Sequence, residues 1–265
     1  MPCIREDSSH VEPRLPHVCN VTAAAWALAA AIAALATVVQ SATGMGFGLV
    51  AVPLFVLVAP TLGIAAILTL TMVAMIAVAW GERHWLSWRD VGLGAASAVP
   101  GIAIGTVMAA AVNPRLTHLA VASVVVASTV ASLAGWRLSL TRATLAGASL
   151  ASGLLTPIAA LPGPPMAVVY RPEDVRQMRA TLSAHFAVVS AVTLLGLWWS
   201  ADGVDAVPTL GRDLAVGLAL TPAVLVGTAL ARPVVPRLPA TWVRSGALAL
   251  SLVSGVILME RAINA

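Results

Sequence analysis

Displaced by 112 residues, the chain meets itself: Pro53, Pro60, Thr69 and Thr71 fall on Pro165, Pro172, Thr181 and Ser183. Displaced by 122, Pro100, Gly105, Thr106, Pro114, Arg115 and Leu116 fall on Pro222, Gly227, Thr228, Pro236, Arg237 and Leu238. The ten-residue slip between the two registers predicts a loop insertion around Ser200 to Asp213. A duplicated chain of this kind folds as two similar units that bury one surface between them. When both units are apolar and each is interrupted by Gly and Pro at a matching place, the pattern is that of a transporter with its site at the breaks.

The apolar character is strong enough to fix the solvent. Of 265 residues, 59% are hydrophobic and 10% charged, and the mean hydropathy is +0.93. A water-soluble domain carries about 25% charged residues, so this chain faces lipid and has length for roughly eight spans of ~20 residues. The net charge of +4 comes from 15 arginines. They stand singly at the ends of apolar runs, as topology signals do, and not in a nucleic-acid-binding patch. Seven of the eight tryptophans (Trp80, Trp85, Trp88, Trp136, Trp198, Trp199 and Trp242) fall near span ends, where an aromatic belt belongs. Residues 1–21 form a polar tail without the apolar stretch or cleavage site of a secretory signal. Cys3 and Cys19 lie in that tail. A disulfide, a metal site shared with His10 and His17, and incidental thiols are all open readings.

The expected fold is all-α and polytopic, with a first transmembrane repeat over 22–135 and a second over 136–265 in one integrated domain. Apolar runs at 23–39 and 49–59 flank "QSATGMGFG", and runs at 62–80, 91–112 and 116–135 follow. In the second half, 143–156 leads into "PIAALPGPP", then come 180–199, 214–231 and 238–258. Each broken segment is either one kinked span or a re-entrant hairpin. With kinked spans the arginines divide six against seven. With hairpins, Arg83, Arg89, Arg137, Arg142, Arg171, Arg176, Arg179, Arg232, Arg237 and Arg244 share one side, and Arg115, Arg212 and Arg261 oppose them. Only the hairpins produce a positive-inside asymmetry. They also make the repeats inverted and put both termini outside the cytoplasm.

Irregular backbone survives at membrane depth only where protein or a cavity surrounds it. The first break offers Ser41, Thr43, Gly44, Gly46 and Gly48 as substrate-binding candidates; the second offers Gly163. The arm starting near Gly48, and the one after Gly163, would point free N–H groups at the cavity, and helix N-termini favour anions. The competing reading is close helix packing through small residues. Thr69 and Thr181 join the candidates because the repeat pairs them, although an intramembrane hydroxyl commonly bonds its own backbone. Arg179 stands where the seventh apolar run begins, either snorkelling or balancing the charge of an anion. His185, the titratable group within a span, is a proton-coupling candidate. No clustered carboxylates or nucleophile–base pair points to an enzyme, and no cofactor or metal is called for. The expected partners are a small anionic substrate and the bilayer, with a homo-oligomer left open.

"SATGMGFGLVAVP" resembles the glycine-rich signature of the sulfite exporter TauE/SafE family, and "LPGPPMAVVY…VRQMRATLSAHF" resembles its second signature. Gly44, Gly46, Gly48, Pro53, Gly163, Pro164, Pro165, Arg179, Ala180 and Thr181 fall on the motif positions. The resemblance covers about residues 22–258 and implies a multi-pass protein of the cytoplasmic membrane that exports a small anion such as sulfite or an organosulfonate. Two departures bear on the site: Phe47 interrupts a run of glycines, and Pro162 stands where a glycine is usual. Both imply a site of altered size and shape. Alternating access by a secondary transporter is the leading mechanism; a passive anion channel, a site-less assembly subunit and a membrane-embedded enzyme are the alternatives.

Overall fold

The computed structural model describes residues 23–44, 46–59, 62–111, 138–200 and 206–237, with scattered residues between 116 and 135 and between 249 and 260. The polar tail with Cys3 and Cys19, and most of the last span of each half, lie outside the described residues. Among the described residues eight α-helices follow one another: α1 (Ala23–Thr43), α2 (Phe47–Val58), α3 (Ile64–Gly81), α4 (Trp88–Ala111), α5 (Arg142–Ala159), α6 (Gly163–Val169), α7 (Val175–Trp199) and α8 (Ala206–Val234). Five of them are long and apolar enough to cross a membrane. There is no strand among the described residues. The chain is a polytopic helical membrane protein.

Helix ends follow local chemistry. Thr141 and Thr144 exchange side-chain and backbone hydrogen bonds in a capping box that starts α5. Asp174 starts α7 by accepting from the Arg176 N–H at 2.7 Å. The breaks are narrower than the sequence pattern predicts. α1 runs through Gln40 to Thr43, and α5 runs through Pro157 to Ala159, because an apolar surrounding makes intrahelical hydrogen bonds hard to give up. The predicted loop at Ser200 to Asp213 is also mostly helix: α8 begins at Ala206, with Pro208 in its first turn, where a missing N–H costs nothing.

Contacts along the bundle fix helix directions. The start of α3 lies beside the start of α8, with Gly63 against Asp213. Its end lies beside the start of α7, where Glu82 pairs with Arg179. Ala25, Trp26 and Ala29 of α1, Ala59 after α2, and Arg212 and Asp213 of α8 line one cleft, so α1 and α2 enter and leave at the same end. At the other end the Leu138 N–H donates to the Val168 carbonyl, which brings the entrance to α5 beside the exit of α6. The α1–α2 and α5–α6 pairs are therefore hairpins that open toward opposite ends. Arg83, Arg89, Arg142, Arg171, Arg176, Arg179, Arg232 and Arg237 gather at the α5–α6 end, with Arg212 at the other. Exposed tryptophans ring both: Trp80, Trp85 and Trp88 at the first, Trp198 and Trp199 at the second.

Small residues bring the helices together where apolar burial alone supplies no drive. A side chain at Gly101 or Gly105 of α4 would strike the Leu150 or Leu154 carbonyl of α5 at 2.1 and 2.3 Å. At Gly227 of α8 it would strike the Ala34 carbonyl of α1 at 2.6 Å. The fourth helix of each half thus lies against the first hairpin arm of the other half.

Candidate functional site

The first break is organised by one side chain. The Gln40 carbonyl accepts the Gly44 N–H at 2.7 Å and closes α1. Its side-chain Oε1 accepts the Phe47 N–H at 3.0 Å and so caps the start of α2. Its Nε2 donates to Ser183 Oγ of α7 at 3.3 Å. Between the two helices Gly44 sits in the left-handed region at φ 79, where a side chain is disfavoured. A Cβ there would also lie 3.0 Å from Arg179 Cα.

The second break turns at Ala160, which is itself left-handed with φ 53. Ser152 Oγ donates to the Pro162 carbonyl at 2.5 Å and holds the turn against α5. The tips of the two hairpins touch: a Cβ on Gly48 would lie 3.1 Å from Leu161 Cδ2 and 3.5 Å from the Ala160 carbonyl oxygen. A small cavity, with room for about one water, lies at the junction between Gln40, Gly48, Thr71, Leu161, Gly163 and Phe186. The two starts differ in what they offer a ligand. α2 runs twelve residues, whereas α6 runs seven and begins Gly163-Pro164-Pro165, so two of its first backbone positions carry no N–H. The expected pair of equivalent, amide-presenting helix starts reduces to one.

The candidate residues separate into groups. Gly44, Gly46, Gly48 and Gly163 all lie at or beside the junction of the breaks. Gly46 turns the chain back on α1, and its Cβ would meet Val39 Cγ1 at 2.4 Å. Ser41 and Thr43 donate to the Thr37 and Val39 carbonyls, four residues back on their own helix. Thr69 likewise donates to the Ala65 carbonyl and lies against Gly217 of α8. Thr181 accepts the Ser87 N–H at 3.1 Å, at the start of α4. Of the two repeat-related pairs, Thr71 and Ser183 are the ones at the centre, and Thr69 and Thr181 face outward from it.

Arg179 belongs to a polar layer at the arginine-rich end. It is ion-paired with Glu82, with Nε 3.3 Å from Oε2. Arg176 lies over the Trp85 ring at 5.5 Å, a cation–π contact. Tyr170 OH donates to Asp90 Oδ2 at 3.0 Å, and burial pushes its phenol up to about 12. His185 lies elsewhere, between α4, α5 and α7. It is 1% exposed, and neither ring nitrogen has a hydrogen-bond partner among the described residues. Its Nδ1 comes within 2.8 Å of where a Gly94 Cβ would stand, with Ser149 Oγ beside it.

Sequence reasoning passed over Gln40 and Tyr170. A signal for the first was present: Gln40 is the one glutamine within an apolar run. A carboxamide there must find partners, because an unpaired polar group in hydrocarbon is costly. Tyr170 is the chain's only tyrosine, but nothing in the sequence pairs it with Asp90.

Comparison with known proteins agrees with this architecture. The family model described as sulfite exporter TauE/SafE matches residues 29–258. No curated protein and no solved structure matches the chain.

Proposed function

The chain belongs to the sulfite exporter TauE/SafE family, and from that premise we propose that it is a secondary transporter that exports a small anion, such as sulfite or an organosulfonate, by alternating access. The observation that carries the reading is the meeting of two oppositely directed hairpins, Gly48 against Ala160 and Leu161. In this reading the two halves are inverted repeats, and the substrate binds where the tips touch. The start of α2 attracts the anion, because its amides and helix dipole favour negative charge. Gln40 Oε1, on the Phe47 N–H, stands in for a substrate oxygen. When the anion arrives, the carboxamide rotates and offers its NH2 group instead. Thr71, Ser183 and Gly163 complete the shell, and Phe186 and Leu161 exclude water.

The arginine-rich end is the cytoplasmic one by the positive-inside rule, which puts both termini outside. Arg179 draws anions toward that mouth and is screened by Glu82 until the end opens. The membrane potential favours export, by about 2.3 kcal/mol per charge per 100 mV. His185, buried and with neither ring nitrogen bonded among the described residues, is the candidate carrier of a coupling proton.

Counterflow in proteoliposomes tests this. A carrier loaded with unlabelled sulfite accelerates entry of labelled sulfite. A passive channel does not, and the absence of trans-acceleration for sulfite, thiosulfate and short sulfonates alike would overturn the proposal.

A further inference from the structure

Beyond the hairpin tips, the two ends of the bundle carry matching devices. The dipeptide Arg89–Asp90 near the start of α4 recurs as Arg212–Asp213 near the start of α8, displaced by 123 residues, and Gly94 recurs as Gly217. The fourth helix of each half then contacts the third helix of the other. Gly94 lies against His185 of α7, and Gly217 lies against Thr69 of α3.

Each aspartate reaches the exit of the other half's hairpin. Asp90 accepts from Tyr170 OH at 3.0 Å, and Tyr170 ends α6. Asp213 sets its carboxylate against Gly63, which leads from α2 into α3. Its carboxylate is so close that a side chain at Gly63 would overlap Oδ2 at 1.6 Å. One contact lies at the arginine-rich end and the other at the opposite end. Both contacts are made in this structure.

We propose that Asp90 and Asp213 are reciprocal latches, each holding the other half's hairpin exit, so that opening one end of the transporter means releasing one latch while the other stays shut. The proposal rests on the alternating-access reading. Releasing the Asp90–Tyr170 latch frees the α6–α7 junction and opens the arginine-rich end. Releasing the Asp213–Gly63 latch frees the α2–α3 junction and opens the opposite end. The arrangement makes Asp90, Tyr170 and Asp213 positioning residues, distant from the substrate.

The test is side-specific accessibility. In a Cys3→Ser, Cys19→Ser background, Thr71→Cys reports on the central space. A membrane-impermeant methanethiosulfonate is applied to sealed vesicles of each orientation. Asp90→Ala and Tyr170→Phe are expected to raise labelling from the arginine-rich side about tenfold, the effect of losing one hydrogen bond to a charged acceptor. Asp213→Ala is expected to do the same from the other side only. Asp213→Asn, which keeps the size and shape of the side chain against Gly63, should label as the parent does. Equal change from both sides, change from the wrong side, or no change in any variant would overturn the latches. Fast labelling of the Thr71→Cys parent from both sides at once would instead refute alternating access, and the latches with it. Tyr170→Phe preserves the ring, so a folding defect in Asp90→Ala leaves that end still tested.

Discussion

Replacing Gly44 by alanine probes whether the first hairpin tip is held against α7 as tightly as its geometry requires. At φ 79, an L-residue costs about 1–2 kcal/mol more than glycine. The new methyl would also stand 2.9 Å from Arg179 Cγ and 3.0 Å from Arg179 Cα. The first atom belongs to a side chain held by Glu82, and the second is helix backbone, so neither yields cheaply. Overpacking of this kind adds about 1–3 kcal/mol. The sum, about 2–5 kcal/mol, corresponds to a Tm lower by roughly 5–15 °C. The matched control is Gly147→Ala in α5, where a Cβ meets nothing within 4 Å and alanine is favoured by up to about 1 kcal/mol. Thermal unfolding of both variants in detergent, with anion flux in proteoliposomes, makes the comparison. A Gly44→Ala protein that melts with the parent and transports at the parental rate would refute both the close contact and its bearing on the tip.

Gln40→Leu leaves the Phe47 N–H and Ser183 without their partner. Loss of about 2–4 kcal/mol in unfolding free energy is expected, together with loss of flux, while Gln40→Glu should fold and repel the anion; sulfite binding by thermal shift separates the two. His185→Ala should flatten the pH dependence of flux across the range where histidine titrates, and an unaltered profile would remove the proton-coupling role. For Tyr170, the raised phenol pKa has a definite sign. The unfolded chain releases this proton near 10 while the folded one holds it to about 12, so stability is constant below pH 10 and falls as pH rises between those values. Tyr170→Phe should abolish that fall, which alkaline melts compare directly.

The Gly/Pro breaks were legible in the sequence, and arginine placement favours hairpins over kinked spans there, because only re-entrant breaks make the two ends unequal in charge. The turn at the first break was readable too, since Gly44 stands there in the left-handed region that favours glycine. Which hydroxyls face the centre was not. Thr69 and Thr71 are two residues apart on one helix, and repeat symmetry pairs both equally well with the second half. Only the position of α8 against Thr69 decides between them. The role of Gln40 was hidden for a related reason: its side chain joins the Phe47 N–H, seven residues on, to Ser183 on a distant helix, and no local pattern announces that link. The two breaks match in repeat position but differ in backbone, because Pro164 and Pro165 remove two amides from the start of α6.

The crossing of each fourth helix onto the opposite hairpin also constrains how the protein is made. The ribosome completes α1 and α2 long before it reaches α8, which covers α1, or the Ala160–Leu161 turn that meets Gly48. At roughly 5–20 residues per second, the Gly44–Phe47 elbow waits several seconds or more in the bilayer with its cover unmade. Gln40 supplies the interim protection, since it satisfies the exposed Phe47 amide from within its own hairpin. The hairpin is thus satisfied from within before the other half exists, and insertion of a nascent chain truncated after α4 is expected to depend on Gln40.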